Sequence, residues 1–395
     1  MRKKTILLVA IPYSVHTAGW VAQLNGQGWD VHLFPSLGGE VIHPDVAHVT
    51  VHHLLYSERL SSARALKPGT QSGIALWIDR IRKHIFEKFI PTLRARQLTR
   101  VVSRLQPDII HSLEIQAAGY LTLEAKNRSS KSFPPWLVTI WGSDIFLFGR
   151  LSAHREKIRA VLSNCEYFSC ECERDEKLAR TLGFAGEIVV SGIPVTGGFH
   201  LADIERSRSA CLTADRKVIM LKGYQHWAGR ALFGLRALER CADLLTGYEI
   251  IIYSAVPEVI LAAELFSDNV GIPVRILPQQ TSHEDILACH ARARISIGLS
   301  ISDGISVSLL EAMVMGSFPI QSCTACAEEW IEHGVSGLIV PPEDPELIES
   351  AIRIALSDDK LVNEAARINW QVAQTRLDDA LLQQKAIDMY RKILH

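Results

Sequence analysis

Short runs of β-branched and other apolar residues alternate with helix-like stretches along most of the chain, and the alternation starts twice. Residues 6–11 read as a first strand and 30–34 as a second. Between them, 16–27 reads as a helix with Trp20, Val21 and Leu24 on one face. Strand-like runs at 107–111, 136–140 and 187–190 continue the series. A second series opens with a strand at 217–221 and a helix at 229–243. Strands at 248–253, 274–277, 293–298, 318–321 and 337–340 follow. Strands separated by helices specify parallel sheets covered on both faces. The expected fold class is therefore α/β, with two Rossmann-like units joined near residues 195–215. The length of 395 residues agrees, since it exceeds one ordinary domain.

Composition narrows the function. With 48% apolar and 22% charged residues, the chain reads as an ordinary globular protein. A net charge of −1 offers no broad basic surface for nucleic acid. No apolar run reaches the ~18–20 residues of a membrane helix. The start, Met1-Arg2-Lys3-Lys4 before an apolar stretch, could open a secretion signal. Pro12 ends that stretch and no small-residue cleavage site follows, so a buried strand is expected instead. Eight cysteines spread through a chain this long suit reduced thiols better than a disulfide framework. Cys323-Thr-Ala-Cys326 has zinc-like spacing, but its nearest companion doublet, Cys170-Glu-Cys172, does not complete a four-ligand pattern, and no metal is expected. Residues 77–104 carry eight Lys or Arg and two acids, interleaved with Trp77, Ile78, Ile81, Ile85, Phe86, Phe89 and Ile90. That mixture suits the surface of an anionic membrane, but the plainer reading, a solvated helix with an ordinary core face, is preferred, with Pro91 breaking or kinking it.

The segment from Ser302 to Gly316 carries the most chemistry. It leaves a strand, passes Asp303 and Gly304, and enters a helix with Leu309, Leu310 and Met313 turned inward and Ser306 as its N-cap. The free N–H groups of Gly304, Ile305, Ser306 and Val307 and the positive end of the helix dipole would suit a diphosphate. Asp303 at the helix mouth and Glu311 a turn inside offer carboxylates to different parts of one ligand, as acceptors for sugar or ribose hydroxyls.

With the segment that follows, this region resembles the signature of family 4 retaining glycosyltransferases: an acid, seven residues, a glutamate, then Ala312-Met313 and Gly316-Ser-Phe-Pro319. Trp330-Ile-Glu-His-Gly334 and Gly337-Leu-Ile-Val-Pro-Pro342 fit the same pattern. So do Val15-His16-Thr17-Ala18-Gly19-Trp20, Asp108-Ile-Ile-His111 and Trp141-Gly-Ser-Asp144 in the first half. The resemblance implies the GT-B fold: two Rossmann-like domains, 1–197 for the acceptor and 198–375 for the nucleotide sugar, facing a cleft. A helix beginning near 363 would run on to 394, and its segment 376–395 would return to the first domain.

The resemblance also assigns roles. Glu311 would hold the donor ribose, and Asp303, where the family usually has Glu, would face the transferred sugar. Lys222 and Arg230 stand in for the family's basic pair, in a different spacing, and would bind the diphosphate. Trp141 stands where many relatives have His, leaving Asp144 as the polar group near the acceptor. His16 and His111, at the C-terminal ends of strands, are acceptor-side or cleft candidates. No Asp-x-Asp pair is present, so protein cations rather than a metal would neutralise the leaving diphosphate, and no cofactor is expected beyond the donor, UDP-linked in preference to GDP-linked. The acceptor would be a glycan or lipid-linked molecule in bacterial surface polysaccharide or lipopolysaccharide synthesis, on the cytoplasmic face of the membrane. Two alternatives stay open: a GT-B nucleotide-sugar epimerase, and a catalytically silent sugar-binding assembly protein. A dehydrogenase is disfavoured because no strand runs into G-x-G-x-x-G.

Overall fold

The structure, a computed structural model, describes residues 2–37, 41–53, 56–62, 90–130 and 132–395. The chain divides into two compact units, Met1–Gly197 with Gln383–His395, and Gly198–Leu382.

The first unit holds strands β1 (Thr5–Ala10), β2 (Asp30–Pro35), β3 (Val49–His52), β4 (Ser57–Leu60), β5 (Ile109–Leu113), β6 (Trp136–Thr139), β7 (Tyr167–Cys170) and β8 (Glu187–Ser191). They form one sheet in the order β4-β3-β2-β1-β5-β6-β7-β8. The described pairings are parallel except β3 with β4. All six residues of β1 are buried because both faces of the sheet are covered. Ile6, Leu8 and Ala10 pack with Trp20, Val21 and Tyr390, while Leu7 and Val9 pack on the opposite face with Leu98, Ile110 and Phe168. The two-residue period of the strand thus divides one apolar run between two cores.

Strands β3, β4 and β7 have no counterpart in the sequence reading. Each is four residues long, and β4, Ser-Glu-Arg-Leu, is a polar edge strand whose charges suit an open sheet edge. Of the basic stretch, residues 77–89 lie outside the described residues. The rest enters the helix Ile90–Leu105, with Pro91 in its first turn, where proline costs no hydrogen bond. Ala95, Leu98 and Val102 of this helix are buried in the core, as on an ordinary amphipathic helix. Among the described residues no helix is long and apolar enough to cross a membrane.

A buried polar chain holds the C-terminal segment in this unit. Trp20 Nε1 donates to the Tyr390 hydroxyl at 2.9 Å, and that hydroxyl meets His111 Nδ1 at 2.5 Å. His111 Nε2 meets Thr139 Oγ1 at 2.7 Å. Indole N–H can only donate, so the tyrosine proton is directed at Nδ1, and the ring carries its own proton on Nε2. Burial pushes the His111 pKa down to about 3, which keeps the ring neutral.

The second unit has strands β9 (Val218–Lys222), β10 (Glu249–Tyr253), β11 (Val274–Ile276), β12 (Ala293–Gly298), β13 (Phe318–Ser322) and β14 (Leu338–Val340). Their order is β11-β10-β9-β12-β13-β14, with parallel pairings. Ile219 and Leu221 join Ile250, Ile252, Ile295, Ile297 and Ile320 on one face, while Val218 and Met220 join Ile251, Tyr253 and Ala293 on the other.

The single helix expected from 363 to 394 is two helices, Asp359–Arg376 and Asp379–Leu394. The backbone between them pairs with Phe199 instead: Phe199 N–H donates to Leu377 O at 2.8 Å and Asp379 N–H to Phe199 O at 3.0 Å. Asp378 Oδ1 then accepts from Leu381 N–H at 3.1 Å, capping the new helix.

Tyr390→Phe strips the hydroxyl from two buried polar partners while keeping the ring. It is expected to cost about 1–3 kcal/mol in urea unfolding of the purified protein. A loss below about 0.5 kcal/mol would mean that the chain Trp20–Tyr390–His111 does not contribute as described.

Candidate active site

In a parallel α/β sheet the crevice for a ligand opens where strand order reverses, beyond the C-terminal strand ends. In the second unit that point lies between β9 and β12. The loop 223–230 leaves β9, and the loop 299–306 leaves β12. The two are hydrogen-bonded together: Arg230 N–H donates to Leu299 O at 3.0 Å and Ile301 N–H to Ala228 O at 2.9 Å.

The second loop feeds the helix Val307–Met315. Ser306 occupies the N-cap with extended backbone, but its hydroxyl meets Ser308 Oγ at 2.8 Å and caps no helix amide, which corrects the expected side-chain cap. Among the described residues the amides of Val307 and Ser308 have no acceptor, so the helix start keeps donors available to an anion. Leu309, Leu310 and Met313 are buried, as are the residues between them. Gly304, Ile305 and Ser306 are buried in the turn, and the half-buried Asp303 accepts through Oδ1 from Gly304 N–H at 3.0 Å.

Glu311 is buried on the wall of this helix. Its Oε1 meets His283 Nε2 at 2.9 Å, and its Oε2 lies 3.5 Å from His290 Nε2. Burial alone would raise the Glu311 pKa, but the hydrogen bonds and charges of the two histidines hold it down at about 2. Glu311 in turn raises the pKa of the exposed His283 by hydrogen bonding and charge, against its partial burial. His290 Nδ1 continues the chain to Ser296 Oγ at 2.8 Å, and Ser296 to Ser317 Oγ at 2.7 Å. The sequence reading missed both histidines. They stand seven residues apart on the helix His283–Arg292, hence on one face, and that spacing was the available signal.

Lys222 ends β9 with its ammonium 4.6 Å over the Tyr224 ring, and no carboxylate partner accompanies it among the described residues. Arg230 is engaged: Nε bonds Glu343 Oε1 at 2.5 Å, and Nη1 bonds the carbonyls of His226 and Gly229 at 3.2 and 2.8 Å. Partial burial first, then Lys222 and Arg230, lower the His226 pKa, and Asp303 opposes them. Lys222, Arg230, His226 and Asp303 therefore share one electrostatic neighbourhood.

In the first unit strand order reverses between β1 and β5. His16 sits in the first turn of the helix Val15–Gln23, its ring 4.6 Å from that of Trp141. Asp144 is buried and accepts from Ile115 N–H and Trp141 N–H, both at 2.7 Å, so it fixes the loop that carries Trp141. Gly142 permits that loop, with φ of 84°. Glu114, absent from the sequence reading, directly follows β5 with φ of 77° and ψ of 159°, a conformation rare outside glycine. Its carboxylate accepts from the amides of Ala117 and Ala118, and burial together with Asp144 pushes its pKa up. His111 stands apart from His16 and Trp141: its side chain has no exposed surface, and both ring nitrogens are engaged inside the core. As a cleft residue it is corrected to a core residue.

Residues 5–171 match the family described as Glycosyl transferase 4-like, and residues 264–370 match Glycosyl transferases group 1. Sucrose-phosphate synthase from Thermosynechococcus elongatus superposes with a TM-score of 0.70 at 18% identity, over 99% of each chain. The fold is GT-B, with two Rossmann-like domains. Another GT-B neighbour is the Anabaena protein HepE in complex with UDP-glucose, with a TM-score of 0.68, 13% identity and coverage of 98% of this chain and 99% of that one. A UDP-forming α,α-trehalose-phosphate synthase from Burkholderia xenovorans in complex with glucose-6-phosphate gives 0.66 at 15% identity, over 99% of this chain and 100% of that one. No curated protein matches the sequence.

The Glu311–His283 pair has a defined pH window in this GT-B chain. Its carboxylate side stabilises above the ordinary 4.5 and is lost as pH falls toward about 2. Its imidazole side stabilises fully below the ordinary 6.5 and is lost as pH rises through the raised folded value. The stability difference between the parent and His283→Gln should therefore be largest near about pH 5.5 and shrink by about pH 9, read as thermal midpoints. A difference that stays constant across that range contradicts the ion pair.

Proposed function

We propose that the chain is a retaining glycosyltransferase that moves a hexose from a nucleoside-diphosphate sugar, UDP-linked in preference to GDP-linked, to a glycan or lipid-linked acceptor. The observation that carries this is the β9/β12 switch point, where Lys222 ends β9 and the loop after β12 leads into a helix with unsatisfied start amides and the ionised Glu311. Anabaena HepE, of the same fold, was crystallised with UDP and with UDP-glucose, which supports this donor class.

In this reading the amides of Val307 and Ser308 and the ammonium of Lys222 take the diphosphate, and Arg230 joins by exchanging Glu343 for phosphate. Glu311 accepts from a ribose hydroxyl on the side away from His290, and Asp303 faces the sugar. The bond from the anomeric carbon to the β-phosphate oxygen breaks, and the acceptor hydroxyl adds on the face the phosphate leaves. The acceptor's proton passes to the departing phosphate. Each donor aimed at the developing charge is worth roughly 2.7–4 kcal/mol of barrier. These groups would do the work given to a metal elsewhere, so EDTA should leave activity intact. His16, Trp141 and the loop that Asp144 fixes are the acceptor-side groups of the first unit. The pathway we favour is surface polysaccharide or lipopolysaccharide synthesis at the cytoplasmic face of the membrane, with contact through 77–104.

Calorimetric titration with UDP, GDP and their glucose and mannose conjugates tests the donor class. A uridine or guanosine conjugate should bind, and Lys222→Ala should weaken it tenfold or more. Glu311→Ala should lower turnover of the bound donor by a factor of tens. Parent-like turnover in Glu311→Ala, or activity that vanishes in EDTA and returns with Mn²⁺, would defeat the respective assignment.

A further inference from the structure

The loop 223–230 displays two large aromatic rings to solvent beside the diphosphate cations. Trp227 is 56% exposed and Tyr224 38% exposed. The His226 ring lies between them, with centroids 5.1 Å from Tyr224 and 5.4 Å from Trp227. Exposed indole is costly in water, and a group of such rings on one short loop marks a contact surface more often than an isolated apolar residue does.

The loop is held from several directions. Gly223 N–H donates to Tyr253 O at 2.8 Å, and Ala231 N–H to Tyr224 O at 3.0 Å. Gln225 Oε1 accepts from Leu232 N–H at 3.2 Å, capping the next helix. His226 Nδ1 accepts from Ala228 N–H at 3.1 Å. A Cβ at Gly229 would collide with the Tyr224 carbonyl, so only glycine closes the turn. The backbone under the rings is thus fixed before any ligand arrives, which reduces the ordering cost of binding.

We propose that Tyr224 and Trp227 form a stacking platform for a pyranose ring next to the diphosphate site. The inference rests on the nucleotide-sugar reading of the second unit. A pyranose offers a face of axial C–H bonds, weakly positive and apolar, that matches the negative face of an aromatic ring. Its hydroxyls point outward from that face into water. Lys222, over the opposite partner ring Tyr224, ties the platform to the phosphate cations, so a sugar on these rings lies next to the group that leaves. Two sources share this chemistry, the sugar of the donor and a sugar of the acceptor.

Saturation-transfer NMR and calorimetry on the full chain separate them, with UDP, UDP-glucose, and a mixture of methyl glucoside, galactoside and mannoside added with UDP. Saturation should reach pyranose ring protons, of UDP-glucose if the donor supplies the ring and of a methyl glycoside if the acceptor does. Trp227→Ala should weaken that probe tenfold or more and leave UDP affinity within twofold, and Trp227→Phe should restore most of the loss. A tenfold loss for UDP itself overturns the platform in favour of base stacking. UDP binding together with sugar binding indifferent to Trp227→Ala overturns the platform alone. Failure of the parent to bind UDP overturns the nucleotide-sugar reading and the platform with it.

Discussion

Parallel strands can be joined only by crossovers, and this connectivity decides where chemistry is possible in both units. Each strand must return to the same end of the sheet before the next begins, so the loops that follow strands collect along one edge. Where winding reverses direction, between β9 and β12 and between β1 and β5, the crossovers run to opposite faces of the sheet, which is where such sheets place a ligand crevice. Lys222, Arg230, Asp303 and the start of the helix Val307–Met315 are all products of one such reversal. Glu114 follows β5 at the other reversal, and His16 stands in the helix after β1.

Charge is handled differently at the two reversals. In the second unit a buried carboxylate, Glu311, is kept ionised by two histidines from a neighbouring helix. The histidines come from the crossover between β11 and β12, so the same winding that creates the crevice supplies its counter-charges. In the first unit the buried Glu114 and Asp144 are held mainly by backbone amides, and burial works against their ionisation. Amides can fix a loop in place without adding net charge. In the proposed reading that suits a neutral acceptor sugar, and the charged wall of the second unit suits a diphosphate.

The fold class was legible because a doubly covered parallel sheet writes itself as apolar runs: all six residues of β1 and of β12 are buried. Strand β4 was not, since in Ser-Glu-Arg-Leu only Leu60 is both apolar and buried, which leaves no readable alternation. The break at Leu377 was hidden for another reason. Its cause is the backbone of Phe199, far away in sequence, and helical periodicity on either side runs through unbroken. The same limit applies to site residues. The strand-to-helix turn at 302–316 is local and readable, whereas the His283–Glu311 contact, the Arg230–Glu343 contact and the burial of His111 under Tyr390 depend on tertiary placement.

That placement also separates the fixed charges of the second unit from the exchangeable one. Glu311 cannot change partners cheaply, because removing a histidine would leave a carboxylate uncompensated in a buried position. Arg230 differs: Glu343, its partner, is 54% exposed, and an ion pair with one side in water contributes little net stability. In the proposed reading a diphosphate arriving with more charge would displace Glu343 into solvent, where it is readily hydrated. Lys222 already lacks a carboxylate partner among the described residues, so in that reading it would meet the ligand first and Arg230 would follow. In that reading the chain holds one cation without a carboxylate partner and a second whose exposed partner exchanges for an incoming anion.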